Sequence, residues 1–288
     1  MIIDVHTHIF PDEVRNNLDK YRKRDPLFRL IFGGDRPNMM GESKKAKMIG
    51  VEELIEVMDR SGVEKSVVCG FVWSDQGLCR DGNDYILESI QKYPDRLIGF
   101  TAIQLKDNSE TVKEIERCVR LGAKGIGEIV TEAHGIDIDD EKVMKPIMEA
   151  AKSLDIPVMV HSNETVGHYY LGKAKTELKQ YYDFILSYPD IDIIMAHWGG
   201  GLLFYELMPE VAEATSRVYY DTAASLFLYT SKVYSIAVQI LGADKILFGT
   251  DYPLIDPKRY FKQIEGSGLS GEDMGKIYGE NAKQLLRL

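Results

Sequence analysis

The sequence predicts one α/β domain, folded as a closed (β/α)8 (TIM) barrel over residues 1–288. Short runs of β-branched and aliphatic residues alternate with stretches of helical periodicity along the chain. From the second run onward, successive runs recur about every 30 residues, which is the length of one βαβ unit. The runs are almost continuously apolar, as expected for parallel strands that are buried on both faces.

Eight runs are predicted to be strands. In chain order they cover residues 2–6, 66–71, 97–102, 124–129, 157–161, 192–197, 218–222 and 245–251. Eight strands that each precede a helix indicate a closed barrel. An open, doubly wound sheet is the alternative, but it usually has fewer strands and a GxGxxG turn after the first, which this chain lacks.

The helices between the strands are predicted from their apolar faces. In the segment 51–61, Leu54, Ile55 and Met58 share one face. A second helix is predicted to end at residue 154, with Asp139 or Asp140 as its N-cap.

One interval departs from this spacing, because about 60 residues separate the first two strands. Residues 10–50, approximately, are therefore predicted to be an insertion. In a barrel such an insertion falls on the C-terminal face, where active sites lie. A lid or substrate wall and a small structural insertion are both consistent with the sequence, and no domain boundary is evident elsewhere.

Charge and cysteine content limit the partners and the compartment. Lys and Arg number 35 against 45 Asp and Glu, so the net charge is −10, which argues against nucleic acid as a partner. No apolar run reaches the roughly 18 residues that a membrane span needs. Three cysteines and no signal peptide predict a reduced, cytoplasmic protein. A small molecule is the expected partner, and assembly into a homo-oligomer is left open.

Histidine and aspartate fall where the predicted strands end. His6 ends the first predicted strand and His8 follows two residues later, so at a period of two both rings project from one side. His161, His197 and Asp251 end the fifth, sixth and eighth strands. One HxH motif is weak evidence, since a buried, hydrogen-bonded histidine is more common. Five such groups at one barrel mouth predict a metal site.

These motifs resemble the amidohydrolase superfamily, and the branch that includes aminocarboxymuconate semialdehyde decarboxylase. The resemblance lies in DVHTH at 4–8, AHWGG at 196–200, GTDYP at 249–253 and ENA at 280–282. It implies that His6, His8, His161 and Asp251 bind an ion. It also implies that His197 is a ligand of a second metal in binuclear members, or an acid/base or transition-state-stabilising group in mononuclear ones.

Glu128 decides between one ion and two. Its GEI sequence at 127–129 is similar to that of the TatD-like nucleases, in which the glutamate bridges two metals. A metal contact is the expectation for Glu128, and a hydrogen bond to a ligating histidine is the alternative. A TatD-like nuclease is itself disfavoured by the acidic composition.

The ligand types predict the chemistry. Imidazoles and carboxylates suit Zn²⁺, with Mn²⁺ or Fe²⁺ as alternatives and one or two ions per chain. Bound Zn²⁺ lowers the pKa of its water to about 7. Asp251 is the expected proton acceptor and donor, and His197 the expected donor to an oxyanion. The candidate substrate-binding residues are Trp73, His134, Tyr169, Trp198 and Tyr252.

Two reactions compete for this site. The leading expectation is hydrolysis of a small amide, lactone or ester by metal-activated water. The alternative is nonoxidative decarboxylation of a small unsaturated or aromatic acid. A binuclear site through Glu128 favours hydrolysis, and a mononuclear one favours decarboxylation. A metal-storing barrel without catalysis is disfavoured, because the acid/base pair is intact.

Overall fold

Eight parallel strands form one sheet in sequence order. The structure is a computed structural model, and it describes residues 1–32, 48–167, 170, 173 and 175–288. The strands are β1 (Ile3–His8), β2 (Lys65–Cys69), β3 (Leu97–Thr101), β4 (Gly125–Ile129), β5 (Val158–Val160), β6 (Ile193–Met195), β7 (Val218–Asp221) and β8 (Ile246–Leu247). All eight lie within or next to the predicted runs, and the predicted (β/α)8 barrel is confirmed.

The chain after β7 closes the barrel by returning to β1. The backbone N–H of Val5 donates to the carbonyl of Phe248 at 2.8 Å, and that of His8 donates to Tyr252 at 2.7 Å. Alternate residues of six strands meet in one buried cluster, which places them inside the barrel. That cluster comprises Ile3, Val5, Val67, Cys69, Ile98, Phe100, Met159, Ile194 and Leu247, with three C-terminal residues, Ala282, Leu285 and Leu286.

Helices pack around the strands. The longer ones are Val51–Ser61, Gln76–Lys92, Asn108–Arg120, Glu141–Leu154, Leu178–Ser187, Lys232–Leu241 and Pro257–Glu265. Shorter turns of helix are Thr131–His134, Leu202–Leu207, Pro209–Ala214, Ser225–Leu228, Ala243–Lys245, Gly271–Gly275, Lys276–Glu280 and Asn281–Leu285. The two helices predicted individually are confirmed. Asp140 caps the second, because its carboxylate accepts the N–H of Lys142 at 3.0 Å.

Several strand ends differ from the prediction by one or more residues, and the reasons can be seen at β1 and β8. β1 continues to His8, since the Thr7 hydroxyl donates to the Val67 carbonyl at 2.7 Å and Thr7 also pairs with Tyr252. β8 ends at Leu247 rather than at residue 251. Beyond it, the N–H of Gly249 donates to the Thr222 hydroxyl at 3.0 Å instead of to a strand. Hydrogen bonds to side chains, which apolar periodicity does not report, set both ends.

The described part of the predicted insertion is helical, with Asp12–Asn16, Leu18–Arg24 and Pro26–Phe32. Phe28 stacks on Trp73 after β2, with ring centroids 5.1 Å apart. The buried Asp25 carboxylate accepts the N–H groups of Phe28 at 2.9 Å and Ser74 at 2.8 Å, which joins these helices to the β2 loop. Residues 33–47 of the predicted insertion lie outside the described residues, and its role as a lid stays a prediction.

Within the described residues, no helix is both long enough and apolar enough to span a bilayer. Cys69, Cys79 and Cys118 are free thiols, and all three are buried.

Candidate metal centre and active site

The predicted ligands meet at the carboxyl end of the barrel. The Nε2 atoms of His6 and His8 are 3.1 Å apart, and His8 Nε2 is 3.4 Å from Asp251 Oδ1. Two groups have ligand atoms that all lie within 4.8 Å of one another: His6 with His8 and Asp251, and His6 with Glu128 and His197. His6 belongs to both groups, so the strand-end residues surround one small volume.

Glu128 reaches this volume from β4. Its Oε1 lies 2.8 Å from His161 Nδ1 and 3.4 Å from His197 Nε2, and its Oε2 lies 3.7 Å from His6 Nε2. Gly127 precedes it with φ +140°, and a Cβ at Gly127 would come within 2.7 Å of the Met159 carbonyl oxygen. Only glycine fits there, so the sequence GE brings β4 close to β5 just before the carboxylate.

Buried charges oppose one another around Glu128. Burial disfavours its ionised form, but the charges of His161 and His6 outweigh this and hold the pKa of the Glu128 carboxyl well below its usual range. Burial likewise disfavours a protonated His161, but the Glu128 charge raises the pKa of that ring to about 9. Burial also lowers the pKa of His6, but the charges of Asp221 and Glu128 outweigh burial and raise this pKa well above its ordinary value.

His197 follows β6 in a left-handed turn. His197 and Trp198 have φ of 55° and 61°, and the three glycines at 199–201 also have positive φ. His197 Nδ1 lies 3.2 Å from the carbonyl oxygen of Ala223. Because a carbonyl only accepts hydrogen bonds, Nδ1 carries the proton and Nε2 faces Glu128.

Asp251 lies beyond β8 with φ 57°, and its N–H donates to the His6 carbonyl at 2.9 Å. Burial disfavours its charge, but a hydrogen bond from His8 and the charge of His6 outweigh burial and lower the pKa of the Asp251 carboxyl. Just before it, the N–H of Thr250 donates to the buried Asp4 carboxylate at 3.0 Å. This bond ties the Asp251 turn to β1.

A divalent cation fits this set of donors. The positive charge that favours the ionised form of the buried Glu128 and Asp251 comes here from imidazole rings, and a cation held by the same residues would supply it instead. Imidazole nitrogens and carboxylate oxygens are ligands that Zn²⁺ and Mn²⁺ accept.

Sequence reasoning missed one buried carboxylate, Asp221, at the end of β7. Asp221 Oδ2 lies 2.7 Å from His6 Nδ1, and Oδ1 accepts the N–H of His197 at 2.8 Å. Its position was a signal, because Asp221 is the next-to-last residue of the predicted run at 218–222 and the other site residues also lie near strand ends.

The predicted substrate-binding residues differ in how deeply they are buried, and Trp198 is the most deeply buried of those that the structure describes. Trp198 has no exposed surface, its ring packs against Tyr234 with centroids 5.6 Å apart, and its Nε1 donates to Ser225 at 2.7 Å. These contacts make Trp198 a packing residue in this structure, and nothing among the described residues supports the substrate contact expected from the sequence.

Trp73 and Tyr252 are also largely buried, at 3% and 5% exposure. Trp73 belongs to the aromatic cluster with Phe28. His134 is half-buried in the β4 loop, and both of its ring nitrogens are sealed from solvent without a hydrogen-bond partner. Tyr169 lies outside the described residues.

Comparison with known proteins assigns the family. A sequence profile of the family described as amidohydrolase matches residues 3–288. The chain belongs to the amidohydrolase family. It is 22% identical to a gamma-resorcylate decarboxylase of Polaromonas sp., over 85% of this chain and 90% of that protein. It is 24% identical to the 2-amino-3-carboxymuconate-6-semialdehyde decarboxylase of Dictyostelium discoideum, over 99% of this chain and 91% of that protein.

A solved structure shares the fold of this amidohydrolase. The 5-carboxyvanillate decarboxylase of Novosphingobium aromaticivorans, complexed with manganese and 4-hydroxy-3-methoxy-5-nitrobenzoic acid, aligns with a TM-score of 0.78 and 19% identity. The alignment covers 100% of this chain and 96% of that one.

These relatives correct the leading expectation from sequence. Hydrolysis of an amide, lactone or ester is wrong as the main expectation, because these two relatives, which match over most of the chain, are decarboxylases. The physical reason for the error is that one set of histidine and carboxylate ligands serves both reactions. The motifs therefore identified the superfamily and did not discriminate between its chemistries.

Proposed function

We propose that this amidohydrolase is a metal-dependent, nonoxidative decarboxylase of a small aromatic or unsaturated carboxylic acid. The observation that carries the proposal is the meeting of His6, His8 and Asp251 with His197 at the barrel mouth, in a chain whose relatives over most of its length are decarboxylases.

His6, His8, His161 and Asp251 are the proposed ligands of one ion. His161 enters this set from the resemblance, and in the structure its Nδ1 contacts Glu128. A bound divalent ion supplies positive charge that attracts and polarises the oxygens of the substrate. Manganese is the first ion to test, because it accompanies the solved relative, and zinc is the second.

The protein must deliver a proton to one carbon. Decarboxylation breaks the bond between that carbon and the carboxylate, CO2 leaves, and the electron pair stays on the carbon until a proton arrives. Asp251 and His197 are the proposed proton carriers, because both are buried at the site, Asp251 as a ligand and His197 beside the ligands. The bond between His197 Nδ1 and the Ala223 carbonyl leaves His197 Nε2 as the atom that holds or donates this proton.

Burial of these groups also restricts water. His6 has no exposed surface, and His197 and Asp251 are 5% and 7% exposed. A carbanion-like centre formed among them is protonated by a positioned acid rather than by bulk solvent. Trp73, His134, Tyr169 and Tyr252 remain the proposed contacts to the rest of the substrate.

The experiment is a CO2-release assay on protein loaded with Mn²⁺ or Zn²⁺. The panel comprises 2,6-dihydroxybenzoate, 5-carboxyvanillate, aminocarboxymuconate semialdehyde and simple benzoates, with matched esters, amides and lactones. We expect CO2 from at least one acid and, in heavy water, one deuterium at the carbon that loses CO2. Asp251→Asn should lower kcat by about 10² to 10⁴.

The control variant is Asp244→Asn, which removes a carboxylate that is 70% exposed and paired with Lys276 at 3.0 Å. It should retain the wild-type rate. Turnover of an ester, amide or lactone with no CO2 from any acid would contradict the proposal.

A further inference from the structure

Asp221 contacts both halves of the candidate site. It is the last residue of β7 and has no exposed surface. Its Oδ2 lies 2.7 Å from His6 Nδ1, while its Oδ1 accepts the N–H groups of His197 at 2.8 Å and Ala223 at 3.0 Å. One carboxylate therefore joins β1, the end of β6 and the loop after β7.

The contact with His6 selects a tautomer. A carboxylate oxygen accepts hydrogen bonds, so the proton of a neutral His6 ring lies on Nδ1. The lone pair then lies on Nε2, which is 3.1 Å from His8 Nε2 and 3.9 Å from Asp251 Oδ1. This is the orientation in which an imidazole binds a metal ion.

The contact with the backbone fixes His197. A non-glycine residue in the left-handed region costs about 1–2 kcal/mol, and two such residues follow one another here. The bond from the His197 N–H to Asp221 stabilises this turn. The same Oδ1 binds the N–H of Ala223, whose carbonyl lies 3.2 Å from His197 Nδ1. Asp221 thus positions the His197 ring in two ways: it binds the backbone N–H of His197, and it holds Ala223, whose carbonyl contacts the ring.

We propose that Asp221 is a positioning residue that holds His6 as the Nδ1–H tautomer and His197 in its left-handed turn. This inference rests on the proposed function for its purpose, but not for its test, which needs no substrate.

The test is Asp221→Asn, which keeps the shape of the side chain. The amide oxygen can still accept the two backbone N–H groups, so the amide NH2 then points at His6 Nδ1. A donor at that place forces the neutral His6 ring into the Nε2–H tautomer. Ring ¹⁵N chemical shifts of His6 in metal-free protein, at a pH where the ring is neutral, distinguish the two tautomers.

We expect Nδ1–H in the wild type and Nε2–H in Asp221→Asn. Affinity for Mn²⁺, measured by competition with a chelator, should fall about 10- to 100-fold with unchanged stoichiometry. Asp4→Asn is the matched control, because Asp4 is another buried carboxylate but contacts the backbone N–H of His6 rather than its ring. It should leave the His6 tautomer unchanged.

Two results would overturn the proposal. One is the Nε2–H tautomer of His6 in the wild type. This result needs only the wild-type protein, so it can be obtained even if the variant fails to fold. The other is a folded Asp221→Asn protein with the wild-type tautomer and metal affinity. If the tautomer result holds while no acid releases CO2, the proposed reaction fails and the positioning role stands.

Discussion

Replacing Glu128 with Gln perturbs the electrostatics of the whole site, because this carboxylate lies within 4 Å of three histidine rings. The distances are 2.8 Å to His161 Nδ1, 3.4 Å to His197 Nε2 and 3.7 Å to His6 Nε2. Glutamine has the same length and branching but no charge. The variant therefore removes the electrostatic interaction while it preserves the packing.

The size of the effect follows from His161. Glu128 raises the pKa of this buried ring to about 9 against the burial that lowers it. Without the Glu128 charge, burial is opposed only by the smaller effects of Glu132 and Asp251, so the His161 pKa should fall towards its ordinary value of about 6.5. A fall to that value corresponds to a loss of about 3 kcal/mol of stabilisation of the protonated ring.

The assay is a pH titration of the histidine ring signals by NMR in metal-free protein, with metal content measured separately. If Glu128 bridges two ions, Glu128→Gln should bind about one equivalent less. If it only bonds to His161, affinity should fall about 10- to 100-fold at unchanged stoichiometry. Glu110→Gln is the control, since Glu110 is an exposed glutamate that pairs with Lys113 at 2.7 Å and lies on the helix Asn108–Arg120. A His161 pKa still near 9 in Glu128→Gln would refute the reasoning.

Two further predictions concern candidate substrate-binding residues. Burial, with repulsion from Lys106, lowers the pKa of His134 to about 4 in the folded protein. The unfolded chain has the ordinary value of about 6.5 and binds this proton more readily, so the folded state loses stability as the pH falls from about 6.5 to about 4. Between pH 8 and pH 5, the free energy of unfolding measured with denaturant should fall by up to about 2 kcal/mol less in His134→Leu than in the wild type. An equal fall in both proteins would contradict this. Trp198→Phe removes the 2.7 Å bond to Ser225 and should cost about 1–3 kcal/mol of unfolding free energy. The KM for the acid found by CO2 assay should stay unchanged, whereas a raised KM would restore Trp198 to the substrate site.

The fold could be predicted because the strands are buried on both faces. Each leaves a short apolar run, and the run spacing gives the barrel. The carboxyl ends of parallel strands meet at one mouth, so strand-end positions alone brought His6, His161 and Asp251 together.

What could not be predicted depends on hydrogen bonds and backbone conformation rather than on periodicity. The Trp198 ring points into the packing layer because residues 197–201 turn left-handed. Asp221 ends β7 but belongs to no motif, so its strand-end position was the only signal and did not indicate its contact with His6. The choice between hydrolysis and decarboxylation was missed because it depends on how the substrate is held, and the ligand pattern is common to both.

The measurement that tests the account most directly is a metal titration of stripped protein followed by CO2 release. The acid is the one that the panel identifies, and Mn²⁺ is added in known increments. The account predicts no release without metal, and a rate that rises with bound metal and stops at one or two equivalents. Equal release by the metal-free protein, or none from any acid at full metal occupancy, would contradict it.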